Sequence, residues 1–299
     1  MIGPPLETPA APATVPAEAA QQPPPALPVA APAAEKDVTG SVPRAATAMP
    51  APEAGPASPA HATRVDKLPT AIGGALRSAA AKGDAAAEYE IAQRFAEGRG
   101  VPENLAEAAD WYDRAAKQGL PIAQFRLGAF YEKGFGVKKD LDMARRLYTA
   151  AAEAGNAKAM HNLAVLYAEG IDGKPDYQNA AKWFLKAADY GLPDSQYNLG
   201  ILYGRGIGMP ANLPEAYKWF SLAAREGDQE AASKRDDVGR RLDAASLAAA
   251  TAAAQGWIAL EQPEAAMQAP TPPGGWDAAA VAIYPKPRAG TAKPATSGR

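Results

Sequence analysis

Bond-making chemistry needs a nucleophile beside a base, a bound metal, or a pair of placed carboxylates, and this chain holds few residues that could supply them. It has two histidines in 299 residues and no cysteine. His61 lies in a Pro/Ala-rich leader, so His161 is the one imidazole in the part expected to fold. Without cysteine there is no disulfide and no thiolate metal site. Gly98-x-Gly100, Gly134-x-Gly136 and Gly206-x-Gly208 have the look of phosphate loops. Each lacks the third glycine or the Gly-Lys-Ser/Thr ending, and each follows a helix rather than a strand. Helix termination is the better account. Asp172 and Asp176, with Gly173 between them, offer too few oxygens for a calcium loop. The expectation is a non-enzyme with no catalytic residue, no cofactor and no metal.

Charge points the same way. Lys and Arg number 31 against 33 Asp and Glu, with no block of one sign, so nothing marks a nucleic-acid surface. No apolar run reaches membrane-spanning length, so no direct membrane insertion is expected. The N-terminus lacks the basic start and apolar core of a signal peptide. The expectation is that the protein stays where it is made, or that the chain is one segment of a longer one.

The elements that must position any site are set by a repeat. Gly83, Gly119, Gly155, Gly191 and Gly227 are each 36 residues apart. In the same register come Ala87, Ala123, Ala159, Ser195 and Ala231, then Ile91, Leu127, Leu163 and Leu199, then Phe95, Tyr131, Tyr167 and Tyr203. A period in this range is the mark of a stacked array of small structural units.

Within a unit, Ala87, Ile91 and Phe95 step by four and draw one apolar stripe on a helix. Gly98 ends that helix in the left-handed position favoured at a C-terminus. Asn104, Asp140, Asp176 and Asn212 then fall in register as N-caps of a second helix. Asn104 with Glu107, and Asn212 with Glu215, resemble a reciprocal capping box. Each unit therefore reads helix, turn, helix, turn. One unit has more apolar faces than it can cover, and stacking neighbours buries them.

The fold class expected is all-α, a solenoid of four 36-residue repeats over residues 83–118, 119–154, 155–190 and 191–226. Capping helices are expected at 70–82 and 227–260. Of 29 prolines, 16 precede residue 70, and that stretch has too little apolar surface to offset the entropy of ordering it. Residues 1–69 therefore read as a disordered linker, and 261–299 as a disordered tail containing Pro272-Pro273-Gly274-Gly275-Trp276-Asp277.

The segments from Ala123 to Gly134 and from Ser195 to Gly206, with the Ala-Ala pairs and glycine that close each unit, resemble the Sel-one-like repeat, a longer relative of the tetratricopeptide repeat. That resemblance implies a right-handed α-α superhelix whose first helices line a concave face, and a protein-interaction role. A narrower resemblance rests on Val38-Thr39-Gly40-Ser41-Val42, the repeats, Lys234 to Leu242 and the Trp276 segment. Together these are similar to the C-terminal region of α-proteobacterial PodJ-type polar localisation factors. It implies a periplasmic setting and a cell-pole or envelope role; the cytoplasm is the alternative.

On that concave face, the residues expected to meet a protein or peptide partner are Tyr89, Glu90, Gln93, Phe125, Arg126, Lys133, His161, Asn162, Glu169, Tyr197, Asn198 and Arg205. Aromatics supply contact area and amides can pair with a peptide backbone. Packing between units accounts for the aromatic row equally well. Trp111, Trp183 and Trp219 share one column and read as packing. Trp276 has no core of its own, so it is expected to dock on a partner or back on the solenoid. The alternative function is binding of peptidoglycan or another envelope glycan.

Overall fold

The computed structural model describes residues 65–277 apart from Asp172. The described residues contain helices and no strand. A cap helix, α1 (Gly74–Ala81), is followed by four hairpins. These are α2 (Ala85–Glu97) with α3 (Leu105–Lys117), α4 (Pro121–Lys133) with α5 (Leu141–Glu153), α6 (Ala157–Glu169) with α7 (Tyr177–Asp189), and α8 (Pro193–Arg205) with α9 (Leu213–Ala223). Then α10 (Gln229–Gly239) and α11 (Ala244–Gln255) pack on α9, and a single turn, α12 (Glu264–Met267), packs on α4.

Each second helix packs both on its own first helix and on the first helix of the next hairpin. The register columns are the core between them. Ile91, Leu127, Leu163 and Leu199 are at most 2% exposed, and Ala87, Ala123, Ala159, Ser195 and Ala231 are fully buried. The small column lets helices approach, and the large one fills the layer.

The second helices start as the sequence requires. The side chains of Asn104, Asp140, Asp176 and Asn212 accept from the N–H groups of Glu107, Met143, Asn179 and Glu215. The reciprocal half of the capping box is not made. The N–H of Asn104 donates instead to the Phe95 carbonyl at 2.8 Å, and that of Asn212 to Tyr203 at 2.9 Å. The turn consumes the donor that the box would need. First helices start in two alternating ways: Asp84, Asn156 and Asp228 cap with their side chains, while Leu120 and Leu192 are each followed by proline at the first helical position. Proline there needs no partner for an N–H it does not have.

The Gly-x-Gly turns of the second and fourth hairpins serve close approach. A Cβ placed on Gly136 would lie 2.2 Å from the Leu105 carbonyl, and one on Gly208 2.2 Å from that of Tyr177. Each turn thus rests on the start of the previous hairpin's second helix. In the third hairpin, Gly170 keeps φ at 79° but has ψ at 117°, against 25–38° at Gly98, Gly134 and Gly206. The displaced glycine there gives a different turn and leaves the hairpin intact.

Both expected boundaries move outward. Val65, Leu68 and Ile72 are buried against α1–α3, so ordered packing begins before residue 70. Residues 261–277, expected as the start of the tail, lie against the helices, tied by the contacts described below. Proline-rich composition forbids a core of its own, but not docking on a core made elsewhere. The leader up to residue 64, with Val38–Val42, and the tail beyond 277 are outside the described residues.

Candidate functional site

The aromatic row of the first helices is packed inside the hairpins. Tyr89 meets Tyr112 with ring centroids 5.6 Å apart, Phe125 meets Tyr148 at 6.0 Å, His161 meets Phe184 at 5.6 Å, and Tyr197 meets Phe220 at 5.7 Å. A ring pair thus recurs in all four hairpins, tilted in the first two and edge-on in the last two, each contributing about 0.5–1.5 kcal/mol beyond its buried area. The tryptophan column is likewise core: Trp111 and Trp219 are buried and Trp183 is half-buried.

The two amides behave differently. Asn162 donates to the Tyr148 hydroxyl at 3.0 Å, and that hydroxyl donates to Glu132 at 2.6 Å. Asn198 is 3% exposed. It does not present its amide to an incoming chain, which corrects its expected place on the open face. Lys133, Glu169 and Arg205 are exposed at the ends of their helices, and Lys133 pairs with Glu132 at 2.9 Å.

The segment after α11 runs back past the hairpins, touching the second helices α9 and α7 before it reaches the first helices α6, α4 and α2. Its path is fixed at intervals. Trp257 meets the ring of Trp219 at 6.2 Å, and the Leu260 N–H donates to the Asp189 carbonyl at 2.8 Å. The Gln262 side chain accepts from the Ala157 N–H at 3.1 Å, and the Asn156 amide donates to the Ala266 carbonyl at 2.6 Å. The α12 turn then packs on α4. Finally Trp276 packs into the cluster formed by α1–α4, and Asp277 reaches Arg94. The strap therefore passes every hairpin in reverse order and ends at the first.

That end is where the expected site residues converge. Tyr89, Glu90, Gln93 and Arg126 line a single cavity of roughly 340 Å³ together with Ala86, Ile122 and the strap's own Met267 and Trp276. One nitrogen of Arg94 donates to both oxygens of Asp277 at 2.8 Å, and its Nε donates to Glu90 at 2.8 Å. Arg99 pairs with Glu90 at 3.1 Å. These two carboxylates hold the Arg94 pKa above its ordinary value against the burial that opposes them. Arg126 lies over Phe125, its guanidinium 5.9 Å from the ring centre.

The Sel1 repeat model matches residues 85–120, 121–156, 157–191 and 193–228. A solved Sel1 repeat protein from Oxalobacter formigenes is 31% identical, with a TM-score of 0.51 over 60% of this chain and 76% of that one. The chain belongs to the Sel1 repeat family. An SLR-fold protective antigen of uropathogenic Escherichia coli is also similar, at 23% identity and TM-score 0.32, over 69% of this chain and 58% of that one. No curated protein matches the chain.

Within the Sel1 repeat register, the one pair that resembles catalytic chemistry has another cause. His161 Nδ1 lies 2.8 Å from Ser195 Oγ, the spacing of a base and a nucleophile. Ser195 is fully buried in the small-residue column, so no substrate can reach its oxygen. Burial also lowers the His161 pKa, which keeps the ring neutral in its contact with Phe184. The pair packs two Sel1 repeats together.

Sequence reading missed Arg94, Asn156 and Asp277. The signal at Arg94 was available: its column continues as Phe130, Leu166 and Leu202. A guanidinium in an apolar Sel1 repeat column needs a carboxylate from somewhere. Nothing in the sequence says that it comes from Asp277.

Proposed function

We propose that this chain is a protein-interaction scaffold that holds an extended protein or peptide segment across its first helices. Sel1 repeat proteins generally act as such scaffolds. One observation supports the reading more than any other. Residues 262–277 already lie against α6, α4 and α2, and the Asn156 side chain donates to their main chain at Ala266. Contacts of this kind take an extended chain largely independent of its sequence. Tyr89, Glu90, Gln93 and Arg126 are the binding residues of this reading, with Phe125 and Tyr197 as packed support. The sequence similarity to polar localisation factors adds a cell-pole or envelope setting to the proposal.

The glycan alternative leaned on Trp276 as a free stacking surface. Its ring packs with the α1–α4 cluster, so that support is withdrawn.

A photo-cross-linking residue at Gln93 or Arg126 tests the reading in the source cells, with exposed Arg146 on α5 as the control position. The expected result is one shared adduct from the first two positions and none from the third. No adduct from either would remove the proposal.

A further inference from the structure

The strap is held as a ligand is held. Among the described residues, Ile258, Leu260 and Met267 are three of the four exposed large apolar side chains, at 85%, 58% and 45% exposure. A core helix buries a continuous stripe. This segment fully buries only Ala266, covers Trp257, Gln262, Ala269, Pro272, Gly275 and Trp276 in part, and leaves its other residues exposed. Its fixings are separate points, so it can lift away without unfolding the hairpins beneath it.

Lifting it leaves a specific vacancy at the first hairpin. The Arg94 side chain is 6% exposed and Asp277 is 70% exposed. Loss of Asp277 leaves a buried guanidinium facing outward with Glu90 on one edge only, and Glu90 is shared with Arg99. A guanidinium nitrogen left there without its acceptor favours a carboxylate. Beside it, Tyr89 and Ile122 give a flat aromatic ring something to lie on, within a cavity whose other walls, Glu90, Gln93 and Arg126 among them, are polar. The cavity next to Trp276 shows that its indole does not fill this space.

We propose that the α2–α4 end of the first-helix face is a binding site for an extended, Pro/Gly-rich segment of a partner protein in which a large aromatic residue is followed directly by an acidic one, and that Trp276 and Asp277 occupy this site in cis until such a segment displaces them. This rests on the scaffold reading above and names its ligand chemistry. Ring and carboxylate both contribute: the ring fixes the register of the segment, and the carboxylate restores the acceptor of Arg94.

The test uses the full chain and a fluorescent peptide of residues 262–277, amidated at its C-terminus so that no terminal carboxylate confuses the result. Binding is followed by anisotropy to the wild-type chain and to a chain carrying Trp276→Ala and Asp277→Ala, whose helicity is checked by circular dichroism. The altered chain should bind the peptide at least about tenfold more tightly, because no cis segment competes. A peptide with Asn in place of its final Asp should bind about threefold to fivefold more weakly, as expected for removing one charge of a partly exposed ion pair; this comparison leaves the protein unchanged and so involves no folding defect. Equal binding to the two chains, or equal binding of the two peptides, overturns the proposal. A partner cross-linked only to α6 and α8 also overturns it while leaving the scaffold reading intact. Absence of any cross-linked partner counts against the scaffold reading and does not alter the peptide result.

Discussion

Asn162 donates its amide to the phenol of Tyr148 at 3.0 Å, joining α6 to α5 of the preceding hairpin. One repeat later the same register brings Asn198 to Phe184, which has no hydroxyl, and the Asn198 amide nitrogen has no hydrogen-bond partner. The position that supplied the acceptor has lost its oxygen. Phe184→Tyr should therefore stabilise the fold by about 1 kcal/mol, and Tyr148→Phe should destabilise it by about 1–2 kcal/mol, since it strands the Asn162 amide and removes one of the partners of Glu132. Urea unfolding followed by circular dichroism reads both. A destabilising Phe184→Tyr would show that the orphaned amide has no room for the oxygen.

Glu88 occupies the register of Gln124 and Gln196, which donate to the carbonyls of Ala116 and Ala188 at 3.3 and 3.2 Å. Burial raises the pKa of Glu88 from 4.5 to about 7, partly offset by Arg114 and by a hydrogen bond from Gln118. A carboxyl whose folded pKa is raised keeps its proton longer in the native state. Its contribution is therefore complete below pH 4.5, the unfolded value, and is lost as pH rises through about 7. Glu88→Gln carries the neutral form at every pH. It should match wild type near pH 4.5 and exceed it at pH 8 by up to about 3 kcal/mol. Thermal melts across that range are the measurement, and a pH-independent difference would contradict the shift.

Asn156 has two tasks that can be separated. Its oxygen caps α6 by accepting from the Ala159 N–H at 2.8 Å, and its nitrogen donates to Ala266 of the strap. Asn156→Asp keeps the cap and places a carboxylate against the Ala266 carbonyl. It should speed hydrogen exchange in residues 257–277 while α6 keeps its protection. Asn156→Ala loses both and should cost about 1–3 kcal/mol in total. Unchanged exchange in the strap of the Asp variant would mean that the Asn156 bond does not hold it.

Gly136 and Gly208 have φ of 65° and 72° and no room for a Cβ. Alanine at either should cost more than the roughly 1 kcal/mol of the backbone conformation alone. Alanine at Gly100, with φ of 74° and nothing within 4 Å of its Cβ position, should cost only that. The difference in denaturation midpoint between the two kinds of variant measures the inter-hairpin contact.

Leu163 is fully buried between hairpins, and Leu163→Ala should cost about 2–5 kcal/mol. Because each second helix shares its buried layer with the first helix of the next hairpin, unfolding should remain a single transition. A separate early transition for α8 and α9 would contradict that coupling.

The sequence alone determined the hairpins. Helix starts, helix ends and the buried columns follow from spacing, caps and glycine positions, which act within a few residues and repeat at a fixed period. It did not determine which side of the first helices stays open. Tyr89, Phe125 and Tyr197 fit packing and binding equally well on spacing, and only the tertiary structure shows that each meets a ring on the second helix of its hairpin. The strap was least legible of all. A Pro/Gly-rich segment carries no period and cannot fold alone, so its place depends on a surface that exists only once the repeats have stacked, and on Arg94 meeting Asp277 across 183 positions of chain.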